Sequence, residues 1–550
     1  MTRRWRQGWR PYALLSLLCL ALYLPGIAAL PPLDRDEARF AQATRQMLES
    51  HDFLRIRFQD EARNKKPAGI YWLQAASVAA LSDAESSAIW PYRLPSLIGA
   101  GAAVLLTFAL GSALVGRPAA LTGAALLAAA LGVVVEAHLA KTDAVLLATV
   151  AAAQGALGTV YMRTRRGAAT APWPWALLFW AAQGVGLLVK GPITPLLGLL
   201  TAAALSLADR DLRWLKGLRP LWGVPLMLAI AAPWFIAITA ATQGAFLGES
   251  VGHDLAGKLL GGQEAHGAPP GYYLLLLAAT FWPGSLVLGP ALAWAWQQRQ
   301  APAERFLIAW IVPFWLVLEL VPTKLPHYIL PAYPALALLA GRALLALGEG
   351  ALTRRRWLDA LTIALWAIVS LALAAAQLFL PGRLGPGFFP VGLIAAAILL
   401  NLGGWLVVAA WRGGPALAAT VVALAVIVIA PTFQLIAPGL DKLWLSREAA
   451  AMVARYQPPK DLPVAAVGYR EPSLVFLLGT KTRFLLPDAA AQYLTDARGA
   501  AALVSDRDAA AFQSALRARG WEARPLEHVD GLDYSNGQRM RLTLYTGAPR

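Results

Sequence analysis

Apolar runs of about helix-spanning length recur from residue 11 to residue 438, and this recurrence constrains the fold more than any motif. Thirteen runs lie near 11–30, 92–115, 118–137, 142–162, 173–189, 191–208, 221–241, 271–297, 304–321, 327–348, 357–380, 388–411 and 416–438. Each is about long enough for a helix crossing a ~30 Å hydrocarbon core. Hydrophobic residues make up 58% of the 550-residue chain and charged residues 15%, outside the range of soluble globular domains. The expected fold class is an all-α polytopic membrane protein over residues 1–438, with two long polar connections at 31–91 and 242–270. Residues 439–550 mix charges with short alternating segments and predict a small soluble α/β domain. Its expected strands are LPVAAVG, TRFLL, AALVS and RMRLTLYT, and its expected helices lie near 447–456 and 507–518. The first run follows the basic start MTRRWRQGWR and is read as a retained anchor, because no small-residue cleavage site follows it. The lone cysteine, Cys19, excludes a disulfide framework and a thiolate metal site.

Charge asymmetry orients the chain. With the N-terminus in the cytoplasm, the cytoplasmic connections hold nineteen Lys and Arg, including the clusters RTRRG and TRRRW. The outer connections other than 31–91 hold five. This is the positive-inside pattern, and an odd number of spans then places the C-terminal domain outside. The net charge of +16 is therefore topological and is not a nucleic-acid footprint.

The same orientation collects the polar residues at span ends on the outer side. PPLDRDEARF, in the 31–91 connection, brings Asp34, Asp36, Glu37 and Arg39, and NKKP brings Lys65 and Lys66. Asp143 stands at the mouth of a span, Lys190 lies in VKGP, and Lys324, His327 and Tyr328 lie in TKLPHYIL. Charges at membrane level are costly unless they meet water, a partner or a polar ligand. Basic side chains here suit a phosphate and a carboxylate suits general-base or cation-stabilising work. Asp34 is expected to cap a helix whose first turn holds Asp36 and Glu37. D-x-D occurs three times, at Asp34, Asp209 and Asp506, so the pattern alone identifies nothing. The histidines lack a spacing such as HExxH. Glu249, His253 and His266 are the residues a divalent ion could draw on, and no cofactor is required by the sequence.

DEARFAQATRQMLESHDF followed by KKPAGIYWLQ resembles the opening of the lipid A aminoarabinose transferases. These belong to the dolichyl-phosphate-mannose–protein mannosyltransferase-like group of GT-C glycosyltransferases. Asp143, VKGP, APWF at Trp234, the 249–273 segment ending APPGYY, and TKLPHYILPAYPAL match in order. The resemblance implies thirteen transmembrane helices, amphipathic helices in the first outer loop and a periplasmic C-terminal domain, in the bacterial inner membrane. It also implies inverting transfer of aminoarabinose from undecaprenyl phosphate to a lipid A phosphate, a charge reduction that confers polymyxin resistance. By position, Asp36 matches the family's first-loop acid, Arg39 and Lys66 its basic partners, and Asp143, Lys190 and Tyr328 further cavity residues. Lys65 and His327 depart from the pattern. On this resemblance Asp36 and Asp143 are the catalytic candidates, and Lys66, Arg39, Lys190, Lys324 and Tyr328 the phosphate-binding ones. Glu37, Lys65, His327 and Trp234 complete the cavity. A protein or glycan acceptor is the alternative within the enzyme class, and a lipid-linked sugar flippase the alternative outside it.

Overall fold

The computed structural model describes residues 8–167, 172–255, 257, 267–387, 389–412, 416–459 and 461–550. All thirteen expected segments contain helix. Among the described residues, seven single helices are long and apolar enough to cross a membrane, and two bent pairs bring this to nine if each pair is one span. The other four segments are Arg10–Tyr23 (α1), Trp173–Lys190, Ile193–Asp209 and Pro302–Leu320. The 31–91 connection folds into α2 (Asp36–Ser50), a two-stranded ribbon of β1 (Arg57–Phe58) and β2 (Glu61–Ala62), and α3 (Gly69–Leu81).

The helices that hold the site follow in order. They are α4 (Trp90–Val115), α5 (Arg117–Ala129), α6 (Leu131–Ala137), α7 (Asp143–Arg165) and α8 (Trp173–Lys190). α7 is the central post: 94% of its apolar window is buried, whereas only 17% is buried in the peripheral helix Pro220–Ala241. Small residues let neighbours close on α7. A Cβ built on Gly155 would stand 2.4 Å from the Leu110 side chain of α4, so glycine fixes that approach. α5 and α6 form one broken span, bent by 61°. Ala130 is extended at the break, and the freed Leu131 N–H donates to the Trp282 carbonyl at 2.8 Å. The break is thus satisfied inside the protein, as irregular backbone at membrane depth must be. It also swings Glu136, near the end of α6, toward the start of α7.

The C-terminal domain is a five-stranded sheet in the order β4-β3-β5-β7-β6. Its strands are β3 (Ala465–Val467), β4 (Arg483–Phe484), β5 (Ala501–Ser505), β6 (Trp521–Asp533) and β7 (Gln538–Pro549). β3 runs parallel to β4 and β5, and the β6–β7 hairpin adds on antiparallel. Helix Leu445–Tyr456 covers one face, burying Met452 with Leu503, Leu542 and Leu544. Helices Pro487–Asp496 and Ala509–Ala518 cover the other, burying Leu494, Phe512 and Leu516 with Val504. The sequence pattern misses β6, because it is an edge strand with Glu522, Arg524, Glu527, His528 and Asp530, exposed along most of its length. Charges on an edge strand oppose unwanted strand pairing, and they also erase the apolar alternation by which strands are read.

The domain docks onto the 31–91 connection and its flank. Phe476 enters an apolar cluster with Ala41, Val78, Ile89 and Tyr92, its ring edge-to-face with Tyr92 at 5.3 Å. Arg45 donates to the Phe476 carbonyl at 2.8 Å, and Gln42 to Thr480 Oγ1 at 2.7 Å.

Candidate active site

The start of α2 is set by a buried ion pair. Arg93, in the first turn of α4, is fully buried and faces Glu37 with two N–H groups, at 2.8 and 2.9 Å. Its remaining donors go to the carbonyls of Ile27, Leu30 and Pro31. The Glu37 carboxylate also accepts from Leu33 N and Ala140 N, each at 2.8 Å. One pair thus ties the exit of α1, the first turn of α2 and the α6–α7 turn together. Asp34 is not the helix cap expected from sequence. Arg35 occupies that position with a left-handed φ of 66°, without a side-chain cap bond. The Asp34 carboxylate turns instead to Ser473 of the C-terminal domain, and Asp34 N donates to Tyr534 Oη at 2.7 Å. Burial first, then repulsion from Glu471, pushes the Asp34 carboxyl up to about 8.

Asp36 follows immediately, exposed on the wall of a cavity of about 310 Å³. Its lining includes Arg39, Arg63, Lys65, Lys66, Lys141 and Lys190 as cations. Asp143, His327 and Tyr328 form another part of the wall. α7 begins at Asp143 and α8 ends at Lys190, so helix dipoles favour a carboxylate at one and an ammonium at the other. The two meet at 2.5 Å. The Asp143 carboxylate also lies 4.0 Å from Lys141 Nζ and 3.8 Å from His327 Nε2. Lys141 bonds Glu136 at 3.0 Å, and Glu136 lies 3.8 Å from His327 Nδ1. Burial alone would lower Lys141; the carboxylates of Glu136, Asp143 and Asp36 outweigh it and hold the ammonium up. Lys190 Nζ also stands over the Tyr328 ring, 5.3 Å from its centre.

Nine of the candidate residues therefore surround one cavity: Asp36, Glu37, Arg39, Lys65, Lys66, Asp143, Lys190, His327 and Tyr328, and Asp34, expected only as a helix cap, joins them. Others lie elsewhere. Lys324 is buried with its ammonium on the Glu319 and Val321 carbonyls, at 3.0 and 2.7 Å, where it caps helix Pro302–Leu320. It does not line the cavity, although its neighbours Thr323 and Leu325 do. Trp234 is also outside it, buried edge-to-face against Phe235 and Phe246. Glu249 is exposed in the short helix Gly248–Leu255. His266 and the side chain of His253 lie outside the described residues. Among the described residues no three His, Cys, Asp or Glu side chains are placed to hold a metal ion.

The sequence pattern marks Lys141 as a charge at a span mouth but passes over Arg63 and Arg93. Arg63 lines the cavity, donating to Tyr71 Oη at 3.2 Å and stacking 5.1 Å over the Phe40 ring. In sequence it is one basic residue among several in a polar loop.

A model of the dolichyl-phosphate-mannose-protein mannosyltransferase family matches residues 34–244, the stretch that carries most of this cavity. The chain is 30% identical over 420 residues to the undecaprenyl phosphate-alpha-4-amino-4-deoxy-L-arabinose arabinosyl transferase of Pseudomonas paraeruginosa, covering 74% of this chain and 72% of that one. The enzyme of the same name from Pseudomonas savastanoi is 28% identical, over 75% and 74% of the two chains. A Pseudomonas aeruginosa relative of that name is 30% identical, but the match spans 65% of its length, just under two thirds. In fold, the chain is similar to ArnT from Cupriavidus metallidurans crystallised with undecaprenyl phosphate, at a TM-score of 0.72, 19% identity and 97% coverage of both chains. It is also similar to the Archaeoglobus fulgidus oligosaccharyltransferase, at a TM-score of 0.53 and 12% identity, over 92% of this chain and 70% of that one. The chain belongs to the undecaprenyl phosphate-aminoarabinose arabinosyl transferase family of GT-C membrane glycosyltransferases.

Proposed function

We propose that this inner-membrane protein moves 4-amino-4-deoxy-L-arabinose from undecaprenyl phosphate to a lipid A phosphate at the periplasmic face. The carrying observation is one cavity in which the exposed carboxylate of Asp36 faces cations from the first outer loop, the α6–α7 turn and α8. In this reading the N-terminus is cytoplasmic, residues 1–438 are the membrane domain and residues 439–550 stand in the periplasm.

The donor is a sugar phosphodiester. As the bond from C1 to the phosphate oxygen breaks, its electron pair stays on that oxygen and the phosphate gains a negative charge. Arg39, Arg63 and Lys66 are placed to hold that charge, in a site walled by protein where preorganised cations act strongly. An acceptor phosphate oxygen attacks C1 from the opposite face, which inverts the anomeric centre. The acceptor is already anionic, so orienting it matters more than removing a proton. Asp36 stabilises the positive charge that develops at C1. Asp143, paired with Lys190 and close to Lys141, is a positioning group that holds those ammonium groups at the cavity wall.

The test is transfer by purified protein supplied with lipid A and undecaprenyl-phosphate aminoarabinose, read by mass spectrometry. A mass gain of one aminoarabinose, absent with Asp36→Asn, is expected. Wild-type protein that binds the donor but leaves lipid A unmodified would overturn the acceptor assignment.

A further inference from the structure

A second polar cleft, of about 530 Å³, lies between the outer end of helix Arg356–Leu384 and the β6–β7 hairpin. Four cations line it: Arg383, Lys442, Arg539 and Arg541. Asp530 neutralises Arg541 through paired bonds of 2.7 and 3.1 Å. Asp506 is the other carboxylate, which leaves an excess of positive charge. Among the described residues, neither Arg383 nor Arg539 has a carboxylate within ion-pair distance. Both side chains are exposed. Phe379, one turn below Arg383, is 63% exposed, so the cleft opens where a lipid-facing helix leaves the bilayer.

Directly below it along helix Arg356–Leu384 is an apolar groove of about 160 Å³, whose other wall is helix Ala416–Pro431 and the Thr432–Ile436 turn. Leu373, Gln377 and Leu380 form its wall on helix Arg356–Leu384, and the next residue on that face, Leu384, already lines the cleft. On the opposite side Ile436 and Leu440 line the groove, and Lys442 follows in the cleft. Gln377 is 5% exposed, and its Oε1 has no hydrogen-bond partner. A buried acceptor without a donor costs stability unless a ligand supplies one. Gln377 and Leu384 are seven residues apart, roughly 10 Å along a helix.

An apolar groove, an acceptor wanting a donor, and then a basic cleft that also offers carboxylates form a sequence of environments. An ester-linked phospholipid would meet the cations, but its ester carbonyls offer Gln377 only acceptors. A phosphorylated glycolipid with an amide-linked or hydroxylated acyl chain meets each feature. Its chain fills the groove, its N–H or O–H donates to Gln377, its phosphate meets Arg383 and Arg539, and its sugar hydroxyls face Asp506. The hairpin connects this cleft to the catalytic cavity. Its turn touches the first outer loop through Tyr534 and Ser535, and Arg539 pairs with Leu532 one rung beyond the Asp533–Gln538 pair that closes the turn.

We propose that the apolar groove beside helix Arg356–Leu384 and the basic cleft between that helix and the β6–β7 hairpin bind the acceptor glycolipid through an acyl chain and a phosphate other than the one that reacts. This rests on the acceptor reading above. The test uses full-length protein in nanodiscs, wild type against Arg383→Glu/Arg539→Glu and Gln377→Leu. It measures lipid A binding directly and steady-state transfer with each substrate varied. The charge-reversed variant should raise the KM for lipid A by about tenfold or more, with the donor KM unchanged. Gln377→Leu should raise it less. An unchanged lipid A KM in both variants overturns the proposal. So does equal competition by phosphatidylglycerol, which would make the cleft a site for bulk phospholipid, or by inorganic phosphate alone. If wild-type protein fails to transfer to lipid A, the acceptor reading has failed by itself. The binding arm then decides: lipid A held by wild type and released in the charge-reversed variant supports the cleft, and equal binding by both sinks it.

Discussion

At the level of single residues, Asp36 and Asp143 have opposite settings although both line the cavity. Asp36 is exposed, whereas Asp143 is 5% exposed and bound to Lys190. Asp36→Asn should therefore change stability by no more than ~0.5 kcal/mol, the usual limit for a surface substitution. It should lower transfer by roughly 10²–10³-fold, as loss of a preorganised charge does. Asp143→Asn should destabilise the protein by about 3–5 kcal/mol, because it strands buried ammonium groups. Asp143→Asn/Lys190→Met should recover much of that stability without recovering activity. Thermal unfolding beside transfer assays separates the two effects, and a double variant with normal activity would remove Lys190 from the site. The cavity residues were legible because charges at span mouths stand out against apolar sequence. Lys324 carries the same signal for another reason, since its ammonium serves the carbonyls at a helix end. Sequence cannot separate those two uses of a lysine.

Among the elements, α2 depends on one arginine that the pattern gives no reason to choose. Arg93 opens an apolar span in WPYRLP and reads as an interfacial anchor. Folded, it joins three chain segments through Glu37 and three carbonyls. Arg93→Lys keeps the charge but loses the two-pronged contact with Glu37, since an ammonium has no planar fork. We expect a lower melting temperature and a drop in kcat larger than any change in donor KM, because Asp36 rides on the turn that Arg93 holds. Unchanged kcat in a folded Arg93→Lys protein would show that this clamp does not set the position of Asp36. The helical segments were readable from apolar run length, but the 61° break between α5 and α6 was not. It depends on a carbonyl of Trp282, more than 150 residues away in sequence, which no local pattern reports.

For the molecule as a whole, the C-terminal domain and the 31–91 connection share a seam crowded with acids. Asp34 meets Ser473 and Tyr534 there, with Glu471 and Asp533 close by and Arg35 bound to the Ser535 carbonyl. Burial and the repulsion among these carboxyls raise Asp34 to about 8, and burial raises Glu471 in the same direction. A carboxyl with a raised folded-state pKa binds its proton more tightly in the docked form. Its stabilising contribution is fully present below the ordinary carboxylate value near 4 and is lost progressively as pH rises toward about 8. The docked domain should therefore loosen between those limits and change little from this group above them. Asp34→Asn removes the titration, so its stability relative to wild type should climb with pH across the same window. Hydrogen exchange at the β6–β7 turn, followed from acid to alkaline pH, reads the seam directly. Wild-type protection that falls with pH, set against a flat profile in Asp34→Asn, would place this proton in the seam. Parallel profiles in the two proteins would assign the pH response to other groups. Asp34 is two residues from Asp36, so a looser seam should also lower transfer at high pH in wild type and spare it in Asp34→Asn.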